Sequence, residues 1–327
     1  MLSRPNFTLK QLRYLVAVAE CANITEASNR LGVTQSAVSV AVSDLEESIS
    51  TQLFIRHRAK GARLTPAGAK FLVKARELLH QAADLQDFGA ELGQSMRGEL
   101  NVGCYFMLSP FFVAPILSSI RKAYPYLAIR LFEDRLDVLQ QALLNGSCDL
   151  AFIYDVDVHA GLHHELLMPY PPYVLVAKGS ALAQRESLSL AELAKEPLIM
   201  IDLPHSRTYV ENLAALRGVE LTVAYRVSSF ETIRSLVSHG HGYSILNQHV
   251  SLEAVQGGKA MIAKPLTDDL PPVTLILAYV EGTRLSRRAL AFMEVCRTHF
   301  ARVRARMADN DHGGTERRTG RDRRATK

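Results

Sequence analysis

The sequence predicts an α/β protein in two parts: an all-α N-terminal unit with a small β-hairpin, and a larger two-lobed α/β body. One long helix joins them. Three observations predict this. Short helical patterns separated by capping residues run from Leu9 to Ile49. An unbroken amphipathic pattern then extends from Pro66 to Gly93. From Glu99 onward, apolar blocks of strand length alternate with helical patterns, as in a parallel sheet covered by helices.

Leu9, Leu12, Leu15, Val16 and Ala19 make the first helix amphipathic, and Asn23 and Thr25 mark its end and the next start. A short helix over Ile24–Leu31 leads to a turn at Gly32. The third helix opens at Thr34, whose hydroxyl can accept a free N–H of the first turn. Val38, Val42, Leu45 and Ile49 form one apolar stripe, while Ser36, Ser39, Val40, Ser43 and Glu47 face away from it. A helix with one buried side and small hydroxyl groups on the other fits a DNA major groove, with Gln35 and the serines able to reach base edges and phosphates. The same spacing alone would also serve an αα-hairpin in an ordinary helical protein. Leu53-Phe54-Ile55 and Ala62-Arg63-Leu64 bracket a charged turn at Gly61, giving a two-stranded wing. Arg56, Arg58, Lys60 and Arg63 cluster there, suited to phosphates or a minor groove, or else a solvated charged hairpin.

Thr65 and Pro66 start the long helix as cap and first residue. Its stripe, Leu72, Ala75, Leu79, Ala82, Leu85, Phe88 and Leu92, needs a partner helix to cover it. In the body, strands are expected at 100–103, 128–132 and 149–154, with helices at 111–122 and 136–144 between them. A second unit has strands at 173–177, 198–201, 223–227 and 243–246 and helices at 209–216 and 230–238. A returning strand at 273–280 and a closing helix from Ser286 to about Arg304 complete it.

Charge is distributed unevenly. Residues 1–76 hold eleven Lys/Arg against five Asp/Glu, residues 297–327 hold ten against four, and the segment between is acidic. A basic N-terminal module on an acidic body suits a DNA reader attached to something else. The four cysteines (Cys21, Cys104, Cys148, Cys296) form no C-x-x-C pair, and the histidines lack metal-ligand spacing. Neither a disulfide framework nor a zinc site is expected, nor any other cofactor, and buried or pocket-lining packing, rather than redox sensing, is the expected role of Cys104. The N-terminal ten residues lack the apolar core of a secretory signal and no run approaches a membrane span. The expected location is therefore the bacterial cytoplasm.

Several motifs in order carry a family resemblance: Leu9-Lys10-Gln11-Leu12-Arg13-Tyr14-Leu15, Thr25-Glu26-Ala27-Ser28-Asn29-Arg30-Leu31, Thr34-Gln35-Ser36-Ala37-Val38-Ser39, Leu45-Glu46-Glu47, Gln52-Leu53-Phe54-Ile55-Arg56 and Arg63-Leu64-Thr65-Pro66-Ala67-Gly68. The run resembles the winged helix-turn-helix of LysR-type transcriptional regulators, and the body resembles their two-lobed, periplasmic-binding-protein-like effector domain. The resemblance implies a winged helix-turn-helix over 1–64, a linker and dimerisation helix over 65–94, and an effector domain over 95–306. Its lobes would be 95–165 with 268–306, and 166–267. Residues 307–327 fall outside the resemblance; polar and Arg-rich with few apolar groups, they are expected to form a disordered tail. The resemblance implies promoter DNA, a small-molecule effector and RNA polymerase as partners, and a homodimer or homotetramer. The expected DNA contacts are Thr25, Arg30, Thr34, Gln35, Ser36, Ser39, Arg56, Arg58 and Arg63.

Ligands in such α/β bodies bind where strand ends meet helix starts. That rule nominates Cys104, Tyr105, Phe106, Tyr154, Ser206, Arg207, Tyr209, Ser229, Phe230 and Asn247. Helix starts and an Arg favour a small organic anion, and the tyrosines would supply apolar walls. Two departures from the family pattern stand out. Cys104-Tyr105-Phe106 replaces the usual Ser or Thr of the first loop, pointing to a bulkier or more aromatic effector. Val40-Ala41-Val42 replaces the usual Arg, Lys or Gln after Ser39, leaving more of the DNA contact to Gln35, Ser36, Ser39 and the wing. Two competing readings are an enzyme on the α/β body acting on a small carboxylate and a transporter's solute-binding module. Against the first, nucleophile-elbow, zincin, P-loop and dinucleotide motifs are missing. The basic N-terminal module argues against the second.

Overall fold

The computed structural model describes residues 5–57, 61–91, 96–250, 252–253 and 255–319; for 56, 57, 80, 84, 86–91 and 307–319 it describes the backbone alone. Helix α1 (Leu9–Cys21) starts in a reciprocal cap: the Gln11 N–H donates to Thr8 Oγ1 at 3.2 Å, and the Thr8 N–H donates to Gln11 Oε1 at 2.8 Å. Helix α2 (Ile24–Leu31) starts on Asn23, whose Oδ1 accepts from the N–H groups of Thr25 and Glu26. It stops at Gly32, in the left-handed region at φ 65°. Helix α3 (Gln35–Ser48) starts on Thr34, which accepts from the Ala37 N–H. Leu12, Leu15 and Val18 of α1, Ala27 of α2, and Val38, Val42 and Leu45 of α3 close one core with Leu53 and Phe54.

Strands β1 (Phe54–His57) and β2 (Gly61–Leu64) pair antiparallel, with Phe54 opposite Leu64. Glu46 ties this wing to α3, its Oε1 accepting from the N–H groups of Leu53 (2.7 Å) and Phe54 (2.9 Å). Helix α4 (Pro66–Glu91) follows, capped by Thr65. Its 26 residues make a rod of ~40 Å. Leu72 and Ala75 complete the N-terminal core, whereas Leu85 farther along is 72% exposed.

The first sheet of the body has the order β4-β3-β5-β12-β6. Its members are β3 (Gly98–Tyr105), β4 (Leu127–Asp134), β5 (Leu150–Tyr154), β6 (Leu162–Tyr170) and β12 (Val273–Val280). β4, β3 and β5 run parallel through α5 (Ser109–Ala123) and α6 (Leu136–Leu144), and β12 lies antiparallel to both β5 and β6. Helix α10 (Arg287–Thr319) packs on this sheet, where Phe112, Phe152, Phe292 and Phe300 stack edge-on or tilted at 5.0–5.9 Å.

The second lobe holds β7 (Tyr173–Ala177), α7 (Leu190–Leu193), β8 (Leu198–Ile201), α8 (Pro204–Leu216), β9 (Val223–Val227), α9 (Phe230–Ser238), β10 (Ser244–Leu246) and β11 (Met261–Pro265). β8 and β9 are parallel, while β7 sits antiparallel between β10 and β11. A bridge between Leu198 and Tyr243 links the two groups.

Strands β6 and β11 and helix α7 are additions to the expected elements. β6 hides from pattern reading because its outer residues, His163-His164-Glu165, are polar and its alternation is irregular. It also keeps residues 166–170 hydrogen-bonded to β12, so the first crossing between sheets falls after Tyr170 rather than after 165. Of the stretch expected to be a disordered tail, 307–319 continue α10, where extending a packed helix needs no new nucleus. Residues 320–327 lie outside the described ones. No helix among the described residues is long and apolar enough to cross a membrane.

Phe152 on β5 touches α5 through Phe112 and α10 through Phe292 and is 1% exposed. Phe152→Ala should cost about 3–5 kcal/mol, read as a lower denaturant midpoint for the full chain.

Candidate nucleic-acid face and ligand cleft

The outer face of α3 presents Gln35, Ser36 and Val40, with Thr34 before it exposed and Ser39 half-buried. The helix contains no Lys or Arg. Its hydroxyls are partly engaged: Thr34 Oγ1 and Ser36 Oγ lie 3.1 Å apart, and Ser43 Oγ donates to the Ser39 carbonyl. Thr25 is exposed at the start of α2. Arg30, at the other end of α2, is ion-paired with Glu20 at 2.6 Å. On the wing, Arg63 is exposed, and Arg56 faces Ala62 across the hairpin by its backbone. Arg58 and Lys60 lie outside the described residues.

Between the two sheets of the body lies a cavity of about 50 Å³. By the ~10–15 Å³ that one water needs, it admits only a handful of waters. Six of the ten expected residues line it: Tyr105 and Tyr154 from the first lobe, Ser206, Tyr209, Phe230 and Asn247 from the second. Hydrogen bonds cross the gap. Gln248 Nε2 donates to Tyr154 Oη at 2.9 Å, Asn247 Nδ2 donates to the Tyr170 carbonyl at 2.9 Å, and Tyr209 Oη donates to the Pro271 carbonyl at 2.8 Å. Asn247 Nδ2 also donates to Tyr209 Oη at 3.0 Å. Burial pushes the Tyr105 and Tyr209 phenols up to about 12 and Tyr154 further still.

Phe106 and Ser229 line a separate, more open groove of about 280 Å³, which shares Met107 and Phe230 with the cavity. Cys104 and Arg207, both expected in the cleft, lie elsewhere. Cys104 precedes Tyr105 on β3, so strand alternation turns it to the opposite face, where it is fully buried. On α8 the cavity side is set by Ser206, Tyr209 and Val210, at helical spacings of three and four. Arg207 falls outside that stripe and pairs with Asp202 at 3.1 Å, a carboxylate that Arg226 approaches at 3.7 Å. Two polar lining residues escape the strand-end rule: Gln248, 2% exposed, and His205, bonded to Asp157 at 3.0 Å. Gln248 directly follows Asn247 after β10, and that adjacency is the signal that could have found it.

Cys104, Cys148 and Cys296 are buried, and burial raises each thiol, Cys148 up to about 12 and the other two more. The thiolate is the reactive form. A thiol reagent at neutral pH should therefore label one of the four cysteines of the native chain, half-buried Cys21, and all four after denaturation. Labelling of Cys104 in the native chain would contradict this.

Residues 9–69 match the bacterial regulatory helix-turn-helix protein, lysR family, and residues 93–301 match the LysR substrate binding domain. The chain is 32% identical over 247 residues to the uncharacterized HTH-type transcriptional regulator YnfL of Escherichia coli K12, covering 74% of this chain and 82% of that one. It is 26% identical over 294 residues to the hydrogen peroxide-inducible genes activator of Dickeya chrysanthemi, covering 89% and 95%. The crystal structure of HinK, a LysR family transcriptional regulator from Pseudomonas aeruginosa, superposes with a TM-score of 0.60 at 33% identity, covering 90% of this chain and 98% of that one. With a capped helix-turn-helix at one end and a two-lobed, cleft-bearing body at the other, the chain belongs to the LysR family of transcriptional regulators.

Proposed function

We propose that this LysR-type regulator controls promoters in response to a small organic anion bound between its lobes, and that the body binds this effector without converting it. The observation that carries the reading is the set of polar groups from both lobes that meet across one small cavity. A ligand there would replace cross-lobe hydrogen bonds with its own and so shift the balance between two lobe arrangements. His205 and Ser206 sit in the first turn of α8, whose cap residue, Leu203, offers no side-chain hydrogen bond. Free N–H groups and the helix dipole at such a start favour a carboxylate. Met107, Leu136, Val156 and Phe230 would hold its apolar part. With Arg207 held by Asp202, the anion's recognition falls to the helix start and neutral donors rather than to an Arg fork.

A thermal-shift screen of the full chain against small carboxylates, amino acids and their neutral amides tests this. A ligand at 100 times its Kd should stabilise the effector domain by about 2.7 kcal/mol. Ser206→Ala should then weaken binding by about tenfold, the order of a lost hydrogen bond to a charged group. Stabilisation by neutral apolar compounds alone would sink the anion assignment.

At the other end, Gln35, Ser36 and Ser39 would read base edges, while Thr25, Thr34, Arg30, Arg56, Arg58 and Arg63 would meet the backbone or the minor groove. Helix α4 supports a homodimer, because Leu85 remains exposed beyond the part of the stripe that packs on the N-terminal core. Two such helices side by side would present two α3 helices to two half-sites. A homotetramer through the effector domains, contact with RNA polymerase and a bacterial cytoplasmic location complete the proposal. On an in vitro-selected duplex, Arg63→Ala should weaken binding to all sequences alike and flatten the salt dependence by about one phosphate's worth, a log–log slope change of roughly 0.9 per subunit. Gln35→Ala should instead cost about 1–3 kcal/mol at one base pair and relax the preference there. Equal loss on all sequences for both variants would refute this division of labour.

A further inference from the structure

Arg76 stands where three parts of the chain meet. It lies on α4 and is only 6% exposed. Its Nη2 donates to Glu20 Oε1 on α1 at 3.0 Å. Its Nη1 donates to the Asn145 carbonyl, and to Asn145 Oδ1 at 3.2 Å. Asn145 closes α6 in the first lobe. The neighbouring Gly146 leaves room for the arginine stem: a Cβ there would lie 3.2 Å from Arg76 Cδ. The second oxygen of Glu20, Oε2, is held by Arg30 of α2 at 2.6 Å. One carboxylate is therefore shared between a half-exposed cation of the helix-turn-helix and a buried cation that grips the effector body.

A planar guanidinium held by fixed acceptors on two sides transmits orientation as well as charge. Removing one partner of such a buried group changes the others, because the network is satisfied as a unit. We propose that Arg76 is a positioning residue that couples the helix-turn-helix unit to the first lobe of the effector body. Movement of the lobe at Asn145 reaches Glu20 and α1 through Arg76. In the other direction, drawing Arg30 onto a DNA phosphate leaves Glu20 to Arg76 alone and tightens the joint. The proposal rests on DNA binding by the N-terminal unit and is independent of which effector is bound.

The test is a double-mutant cycle on the full-length protein, with a duplex selected in vitro for binding to it and affinity read by anisotropy at one salt concentration. Glu20 and Asn145 are linked through Arg76 in the contacts above. If they act independently, the fold-changes of Glu20→Gln and Asn145→Ala multiply in the double variant to within about twofold. The coupling predicts a departure from that product of about threefold or more, and a smaller one overturns it. Repeating the cycle with Arg76→Lys, which keeps the charge and loses the fork, should bring the double variant back to the product. A departure that persists there overturns the role of Arg76. Should Asn145→Ala lower the melting temperature enough to impair folding, Asn145→Asp, which keeps the Oδ1 acceptor and adds charge, replaces it under the same criterion. Failure of the wild-type chain to bind any selected duplex would strike the DNA-binding reading first, and the coupling with it.

Discussion

The placement of β12 between β5 and β6 is the constraint on which the body depends. Because that strand arrives about a hundred residues after β6 ends, the chain has to leave the first sheet after Tyr170, build a second sheet, and return at Val273. Two crossings side by side are the covalent links between the lobes, and the cleft lies next to them. Val273 and Tyr170 both mark this: one lines the cavity, and the other offers its carbonyl to Asn247. On the proposed reading, a ligand placed there would act close to the crossings, where a small displacement would become a rotation of the lobes.

At the N-terminal end the constraint is local. Each helix begins on a side chain that accepts its free N–H groups, Thr8, Asn23 and Thr34 in turn, and the wing is pinned to α3 by the Glu46 carboxylate. The geometry presented to DNA is thus set by short-range hydrogen bonds and one compact core. Cations come from the flanks, since α3 itself carries none. On the proposed reading, such an arrangement would leave affinity to the phosphate contacts and keep the outer face of α3 small enough for close approach.

Local signals were the legible ones. Caps, the Gly32 turn, the Gly61 hairpin and the Pro66 start are written in single residues with strong backbone preferences, and the helices and hairpin of the N-terminal unit follow from them. In the body, the parallel strands of the first lobe and the returning strand were readable as apolar blocks. β6 was not, because its polar outer residues break the alternation, and β11 was not, because only Met261 in it is fully buried. In the cleft, strand ends and helix starts led to ten residues, of which six line the cavity and four do not. Cys104 and Tyr105 are neighbours on opposite faces of β3, and Ser206 and Arg207 are neighbours separated by about 100° of helix rotation. An error of one residue decides such cases, and the spacing of a single sequence does not resolve it. Long-range partners such as Asp202 for Arg207 and Asn145 for Arg76 were out of reach for the same reason: pairing across the fold leaves no periodic trace.

Val40 gives the outer face of α3 a different character from the hydroxyls around it. It is 58% exposed, an apolar branched side chain where Gln35, Ser36 and Ser39 are polar. Such a side chain has one partner in the major groove that a hydroxyl does not prefer, the 5-methyl group of thymine. If this face entered the groove, that contact would favour thymine over a base lacking the methyl group. Part of the operator would then be recognised by the shape of a methyl group, a contact that salt leaves untouched while it weakens every phosphate contact around it.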